Sequence, residues 1–202
     1  MTRKNRTAYI LFTRNPVIGK VKTRLAAEVG EEEALRIYLL MLHHSLKVVD
    51  YFPSQDVKIY IDEYPEDRNY LGKYKDHLFL QRGVDLGQKM EFAIEEQLLE
   101  YDQALLFGTD ILELDKDVIA LAKDQLKRRD AVLGPSKDGG YYLIGLKRSL
   151  PIIFKEIPWS SDQVAKNTIR RIINTNLSLF LTPVLGDVDY KADWEKYRNL
   201  AE

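Results

Sequence analysis

The sequence contains no cysteine among its 202 residues and only three histidines. Disulfide frameworks, thiolate zinc sites, iron–sulfur clusters and cysteine nucleophiles are therefore excluded by composition. His43 and His44 are neighbours in a predicted helix and point about 100° apart, so they cannot chelate one metal together, and His77 is isolated. We interpret all three histidines as structural. A Gly-x-Ser-x-Gly elbow is also missing, so nothing supports a nucleophilic triad.

The sequence has neither an excess of one charge nor a long hydrophobic run. Its 30 Lys and Arg residues against 31 Asp and Glu leave a formal net charge of −1, which gives no reason to expect nucleic acid or a membrane as partner. The longest apolar stretches fall far below the ~20 residues that cross a bilayer, and none follows the basic N-terminus as in a secretion signal. We expect a soluble, cytoplasmic protein with one domain over residues 1–202. The sequence does not determine its oligomeric state.

Short apolar runs alternate with segments of helical periodicity along the chain. The predicted strands lie at 8–12, 57–61, 77–80, 104–107, 131–133, 141–146 and 177–181. The predicted helices lie at 31–50, 85–98, 115–128, 161–173 and 193–200. This alternation predicts a three-layer α/β/α sandwich with a mostly parallel central sheet. We expect the strand at 57–61 to be half-exposed, and the first long helix to bury one face, formed by Leu35, Leu39, Leu42, Leu46 and Val49.

Ligands of open parallel sheets bind beyond the carboxyl ends of the strands, so the loops there are the first candidates for a site. The loop at 13–24 carries one glycine and four cations, which are Arg14, Lys20, Lys22 and Arg24. Such a loop can surround a polyphosphate with N–H groups and positive charge. The alternative is that these cations are solvated surface charges. The loop is neither a Walker A loop nor a Gly-x-Gly-x-x-Gly fingerprint.

Two acidic motifs are candidates for a metal site. Asp110 follows the apolar run at 104–107, and Asp187 and Asp189 lie one residue apart after the last predicted strand. Carboxylates at the end of a rigid strand suit Mg²⁺, although an N-cap or turn aspartate is the alternative for Asp110. We expect one of the later pair to face the metal while the other orients a neighbour.

The loop between the predicted strands at 131–133 and 141–146 contains Gly134 and the run Asp138-Gly139-Gly140-Tyr141. Adjacent glycines permit close approach of a ligand to the backbone. A hairpin turn would require the same residues, and their spacing does not separate the two interpretations.

Read in order, five motifs resemble the nucleotide-diphospho-sugar transferase superfamily, whose fold is of the GT-A type. They are Gly19 to Leu25, Gln81 to Met90, Gly108-Thr109-Asp110, Gly134-Pro135 with Asp138 to Tyr142, and Trp159-Ser160-Ser161. More closely, they are similar to the bacterial glycosyltransferase-like family called radical-SAM/selenodomain-associated transferases, relatives of 2-phospho-lactate guanylyltransferase.

The resemblance implies a role for each motif. It implies that Asp110, with Asp187 or Asp189, binds Mg²⁺ or Mn²⁺, and that Asp138, Gly139, Gly140 and Tyr141 face the acceptor or the nucleoside. The residues implied to bind the nucleotide are Arg14, Gly19, Lys20, Lys22, Thr23, Arg24, Gln81, Gly83, Asp85, Leu86, Gly87 and Gly134. We expect Lys22, Arg24 and Asp110 to act in catalysis.

The resulting hypothesis is a metal-dependent transferase that uses a nucleoside triphosphate or nucleotide-sugar donor and a small-molecule acceptor. Because cations stabilise a departing pyrophosphate, the basic loop favours nucleotidyl transfer onto a small phosphorylated acceptor. A glycosyltransferase that uses a nucleotide sugar is the alternative. A non-catalytic nucleotide-binding protein is an alternative of a different class.

Overall fold

The computed structural model describes residues 6–201, and its strands form one seven-stranded sheet in the order β3-β2-β1-β4-β6-β5-β7. Strand β6 pairs antiparallel with β4 and β5, and the other pairs are parallel. Residues 1–5 and 202, which the single-domain prediction includes, lie outside the described residues. The strands are β1 Thr7–Thr13, β2 Val57–Ile61, β3 Leu78–Leu80, β4 Gln103–Gly108, β5 Ala131–Pro135, β6 Tyr141–Leu146 and β7 Leu179–Leu181.

Six α-helices cover the sheet within residues 6–201. They are α1 Thr23–Val29, α2 Glu31–Val49, α3 Leu86–Leu98, α4 Lys116–Arg128, α5 Val164–Asn174 and α6 Lys191–Tyr197. Short 3₁₀ segments lie at Ser54–Asp56, Asn69–Tyr74, Pro151–Ile153 and Arg198–Leu200. No helix in this part of the chain is long and apolar enough to cross a membrane.

The core has two halves, one on each face of the sheet. Tyr9 and Leu11 of β1 point to the face covered by α2 and α4, while Ala8 and Ile10 point to the face covered by α3 and α5. Because a strand alternates its side chains, β1 can be apolar throughout only if both faces are covered. A third cluster joins α1, the start of α2 and α6. The predicted α/β/α sandwich with a mostly parallel sheet is therefore confirmed.

Two predicted exposure patterns are wrong. Strand β2 is buried on both faces rather than half-exposed, because Val57 and Ile59 pack with α2 and α4 on one side of the sheet and Tyr60 packs with α3 on the other. On α2, Leu39 is exposed and Leu35 only half-buried, while Ile37 and Met41 are buried. The first half of α2 packs against α1 and α6 rather than the sheet. Its buried face is therefore formed by Ala34, Ile37 and Met41 instead of Leu35 and Leu39. Helix α1 was not expected, and it takes up the last two residues of the predicted loop at 13–24.

Asp115 caps helix α4, because its side chain accepts hydrogen bonds from the backbone N–H groups of Asp117 and Val118. We expect Asp115→Ala to lower the free energy of unfolding by about 1 kcal/mol, since two N–H groups lose their partner. Urea unfolding measures this change. The matched control is Asp117→Ala, which removes a first-turn charge and is expected to cost only about 0.3 kcal/mol. Equal losses in the two variants would contradict the capping role of Asp115.

Candidate active site

Two adjoining cavities open at the carboxyl ends of β1, β2 and β4. The first has a volume of about 580 Å³ and the second about 660 Å³. Their shared walls make them two halves of one cleft. The residues that line both are Arg14, Arg24, Leu86, Met90, Gly108, Asp110, Tyr141, Tyr142 and Asp189.

Lys22 lines the first cavity. Its ammonium Nζ is 2.6 Å from Asp110 Oδ1 and 3.2 Å from Asp189 Oδ1. Only 6% of the Lys22 side chain is exposed. Its backbone has φ 46° and ψ 47°, the left-handed region that non-glycine residues rarely adopt. For Lys22 at least, the surface-charge alternative is therefore wrong.

Lys22 keeps its charge despite its burial. Burial alone would lower the pKa of Lys22, because it disfavours the ammonium form. Attraction by Asp110 and Asp189, with hydrogen bonds to both, outweighs burial and raises the pKa above its ordinary value. Lys22 is therefore a cation throughout the physiological pH range.

The second acidic motif is held against the end of β4. The backbone N–H of Val188 donates to the carbonyl oxygen of Asp110 at 3.0 Å, which brings Asp189 beside Asp110. Arg24 Nη1 donates to Asp189 Oδ2 at 2.8 Å, so Asp189 joins both loop cations. Asp189, rather than Asp187, thus shares the Lys22 ammonium with Asp110.

Asp187 lines only the second cavity. Burial raises the pKa of Asp187, and the carboxylates of Asp138, Asp189 and Asp193 raise it further. Residues two positions apart share a face of an extended strand, but residues 186–189 form no strand, and Asp187 and Asp189 differ in the cavities that they line. Asp187 therefore faces the second half of the cleft, whereas Asp189 lines both halves.

The remaining loop cations are exposed. Arg14 lines both cavities and pairs with Asp62, whereas Lys20 lines neither cavity and pairs with Glu63 at 3.2 Å. For Lys20, the position agrees better with a solvated surface charge than with a phosphate contact. Thr23 lines the first cavity beside Lys22, as expected for a nucleotide-binding residue.

The Gln81 to Met90 motif forms the opposite wall of the first cavity. Gln81 Nε2 donates to the carbonyl oxygens of Thr13 at 2.7 Å and Tyr60 at 3.1 Å, which ties this wall to β1 and β2. Asp85 caps α3, with Gln88 N donating to its Oδ1 at 2.8 Å. Leu86 lines both cavities.

Several predicted glycines support the cleft without lining it. A Cβ atom at Gly87 would collide with the Trp159 ring, and one at Gly139, whose φ is +88°, would collide with the backbone of Asp162. These glycines allow close packing of neighbouring segments. Contact between any of the predicted glycines and a ligand stays a prediction. The predicted glycines that line neither cavity are Gly19, Gly83, Gly87, Gly134 and Gly139.

The glycine-rich loop joins two antiparallel strands, so the hairpin interpretation is confirmed. The loop also reaches the cleft, because Asp138, Gly140 and Tyr141 line the second cavity. Tyr141 meets Trp159 edge-on, with ring centroids 6.4 Å apart. The two interpretations are therefore compatible, because the loop connects β5 to β6 and also lines the second cavity.

Two residues near the cleft were missed. Asp62 directly follows β2, so the rule that singled out Asp110 would also have found it. Tyr38 reaches the first cavity from α2, where the sequence presents it only as part of an apolar helix face.

The paired carboxylates have the chemistry of a divalent cation site. Asp110 and Asp189 offer oxygen ligands, and Mg²⁺ usually takes one or two carboxylates and completes its shell with water and substrate phosphates. Within residues 6–201, no group of three or more His, Cys, Asp or Glu side chains is arranged to hold a metal. A metal here would therefore depend on its substrate for further ligands.

A family model described as "Uncharacterized protein conserved in bacteria (DUF2064)" matches residues 51–161, more than half of the chain. The chain belongs to this family. The matched range includes Asp62, Asp85, Asp110 and Asp138, while the Lys22 loop precedes it and Asp189 follows it. No curated protein matches the DUF2064 chain in sequence.

Solved structures show that the fold of this DUF2064 protein recurs among transferases. A protein from Desulfovibrio desulfuricans G20, provisionally assigned as a nucleotide-diphospho-sugar transferase, is 26% identical, with a TM-score of 0.80 over 96% of each chain. CMP:2-keto-3-deoxy-manno-octonic acid synthetase, in complex with CTP, is 12% identical, with a TM-score of 0.59 over 96% of this chain and 98% of that chain. The inositol-1-phosphate CTP transferase from T. maritima is 12% identical, with a TM-score of 0.59 over 98% of this chain and 96% of that chain. The superfamily resemblance is confirmed.

We expect Lys22→Met to lower the free energy of unfolding by about 2 kcal/mol at pH 7, because Asp110 and Asp189 would lose their shared cation. The folded-state pKa of Lys22 is raised. Its stabilisation is therefore fully present below about pH 10.4, the unfolded value, and is lost as the pH rises through the folded pKa. The difference between wild type and variant should thus be constant from pH 7 to 9 and shrink near pH 11.

Urea unfolding of both proteins at each pH measures this difference. The control is Lys20→Met, whose exposed pair with Glu63 should contribute less than about 1 kcal/mol. A Lys22→Met protein as stable as the wild type at pH 7 would show that the ion pairs are not formed.

Proposed function

We propose that this DUF2064 protein is a metal-dependent transferase that takes a nucleoside triphosphate as donor and transfers its nucleotidyl group to a small phosphorylated acceptor. The observation that carries the proposal is the convergence of Lys22, Asp110 and Asp189 at the carboxyl ends of the central strands. This position is where open parallel sheets bind ligands. The relatives that act with CTP support nucleotidyl transfer through their shared fold.

In this proposal, the first cavity receives the donor. Lys22 is held at its wall as a permanent cation, and Arg24, with its side chain 55% exposed, lies beside it. An ammonium has three N–H donors, and Lys22 directs two of them at Asp110 and Asp189 when no donor is bound. The opposite wall, with Gln81 and Asp85, receives the nucleoside.

Asp110 and Asp189 would hold Mg²⁺ or Mn²⁺ together with the donor phosphates. A metal held there would supply positive charge against the charge that develops on the leaving group. Lys22 would then turn its ammonium from the two carboxylates toward the phosphates. The carboxylates thus keep the cation in place until a donor arrives.

An oxygen of the acceptor phosphate attacks the α-phosphorus of the donor. The new O–P bond forms as the bond between the α-phosphorus and its bridging oxygen breaks, and pyrophosphate leaves with the electron pair. Lys22 and Arg24 stabilise the departing pyrophosphate. No proton transfer is needed, because the attacking oxygen is already anionic.

The charges in the second cavity orient such an acceptor. Arg14 and Arg24 are the only cations among its described lining residues, and both lie on the shared wall. An acceptor phosphate would bind these arginines at the junction, next to the donor. The rest of the acceptor would lie among hydroxyl and carboxylate groups such as Ser136 and Asp138.

A glycosyltransferase that uses a nucleotide sugar is the second candidate. The second cavity favours it in one respect, because half-buried Asp187 and nearby Asp138 could accept a proton from an acceptor hydroxyl. In glycosyl transfer that hydroxyl oxygen attacks the anomeric carbon, and a nucleoside diphosphate leaves. The 26% identical D. desulfuricans protein agrees with either candidate.

Thermal stabilisation by donors separates the two candidates. The melting temperature is measured with Mg²⁺ and each of the four ribonucleoside triphosphates, their diphosphates and common nucleotide sugars. The proposal expects a triphosphate to stabilise most, because its β- and γ-phosphates meet Lys22 and Arg24. A ligand at about 100 times its Kd adds about 2.7 kcal/mol to the free energy of unfolding.

The matched control is Asp110→Asn, which keeps the side-chain shape and removes the charge. This variant should lose the Mg²⁺-dependent part of the stabilisation and keep the rest. Stabilisation by nucleotide sugars and by no triphosphate would refute nucleotidyl transfer and leave the glycosyltransferase candidate. Stabilisation by neither class would refute both.

A further inference from the structure

Arg14 lies where the two cavities meet, directly after β1. Its backbone is held by a residue distant in sequence. The hydroxyl of Tyr38, a buried residue of α2, accepts a hydrogen bond from Arg14 N at 2.9 Å and donates one to Arg14 O at 3.0 Å. One phenol therefore fixes both polar backbone groups of Arg14.

The Tyr38 hydroxyl is engaged by the chain itself. A phenol donates one hydrogen bond and accepts up to two. Its donor goes to Arg14 O, and its acceptor sites are filled by Arg14 N and by Thr13 Oγ1 at 2.7 Å. Because the hydroxyl bonds both backbone groups of Arg14 and the side chain of Thr13, its role is to orient Arg14.

Asp62 fixes the side chain of the same arginine. Its Oδ2 accepts from Arg14 Nε at 3.2 Å, and its Oδ1 accepts from the backbone N–H of Asn15 at 2.7 Å. Asp62 directly follows β2, so it is anchored to the sheet next to β1. The carboxylate thus holds both the guanidinium and the chain that leads away from it.

This arrangement leaves one part of Arg14 available. Within residues 6–201, Asp62 is the only residue paired with the guanidinium, and it uses Nε. The two terminal nitrogens can therefore donate to an anion, although 61% of the Arg14 side chain is exposed and would otherwise move freely. Fixing an exposed arginine in advance reduces the entropy lost when it binds a ligand.

We infer that Tyr38 and Asp62 are positioning residues that hold Arg14 at the junction of the two cavities, where it binds the phosphate that is transferred. The inference rests on the proposed function, since it assigns a further part of the same site. Its ligand is the α-phosphate of the donor, the group that is transferred, which meets the acceptor phosphate at this junction. Neither residue touches that ligand, and both act through Arg14.

A double-mutant cycle separates this role from a purely structural one. Titration calorimetry measures the affinity of the most stabilising nucleoside triphosphate for wild type, Arg14→Ala, Tyr38→Phe and the double variant. Tyr74→Phe is the matched control, because its buried hydroxyl bonds Asp50 away from the cleft. Circular dichroism and the melting temperature establish that each protein is folded at the titration temperature.

We expect Arg14→Ala to weaken affinity by about tenfold, the scale of a charge-assisted contact. Tyr38→Phe should weaken it by about fivefold in the wild-type background and by less than about twofold in the Arg14→Ala background, because the residue that it positions is gone. Tyr74→Phe should lower the melting temperature and leave affinity unchanged. Asp62→Asn should likewise weaken affinity more in the wild-type background than in the Arg14→Ala background. It replaces Tyr38→Phe in the cycle if that variant does not fold.

Equal losses in both backgrounds would overturn the inference, and so would unchanged affinity in both positioning variants. A wild type that binds a nucleotide sugar but no triphosphate refutes nucleotidyl transfer, and the same cycle is then run with that sugar. A wild type that binds neither donor refutes the proposed function itself and removes the ligand on which the inference rests.

Discussion

The rest of the site depends on one buried cation shared by two carboxylates. Lys22 comes from the loop after β1, Asp110 from the end of β4, and Asp189 from the segment before α6. These segments are far apart in sequence, and the Lys22 ammonium joins them at one point. Without it, two aspartates would repel each other at the edge of the sheet. The left-handed backbone of Lys22 is part of the same arrangement, because such a conformation persists only where surrounding contacts impose it.

The sheet order explains why this point becomes a cleft. Strands β1 and β4 are central neighbours, so the loops that follow them emerge side by side. Because β6 then enters antiparallel, the hairpin loop before it returns to the same edge and separates a second cavity from the first. Arg14 and Arg24 lie on the shared wall. The junction of the two cavities therefore carries two arginines beside the carboxylates of Asp110 and Asp189, so cations and oxygen ligands for a metal meet where phosphate transfer would occur.

The sequence was sufficient for the layers of the fold, because buried parallel strands and amphipathic helices leave strong local patterns. It was also sufficient for the loops that form the cleft, since the carboxyl ends of parallel strands share one edge. It could not distinguish buried Lys22 from exposed Lys20, because that difference depends on carboxylates distant in sequence. For the same reason it missed Tyr38, whose hydroxyl acts across the space between α2 and β1. The altered apolar stripe of α2 likewise reflects packing by α1 and α6 rather than local sequence.

The most direct measurement is a crystal structure of the protein with Mn²⁺ and the α,β-methylene analogue of its most stabilising triphosphate, with the metal located by its anomalous signal. The account predicts a manganese peak bound by Asp110 and Asp189, and terminal phosphates within hydrogen-bond distance of Lys22 or Arg24. A peak elsewhere, with Lys22 still paired to both carboxylates while the nucleotide is bound, would contradict it. Such a result would make the buried cation a structural element alone.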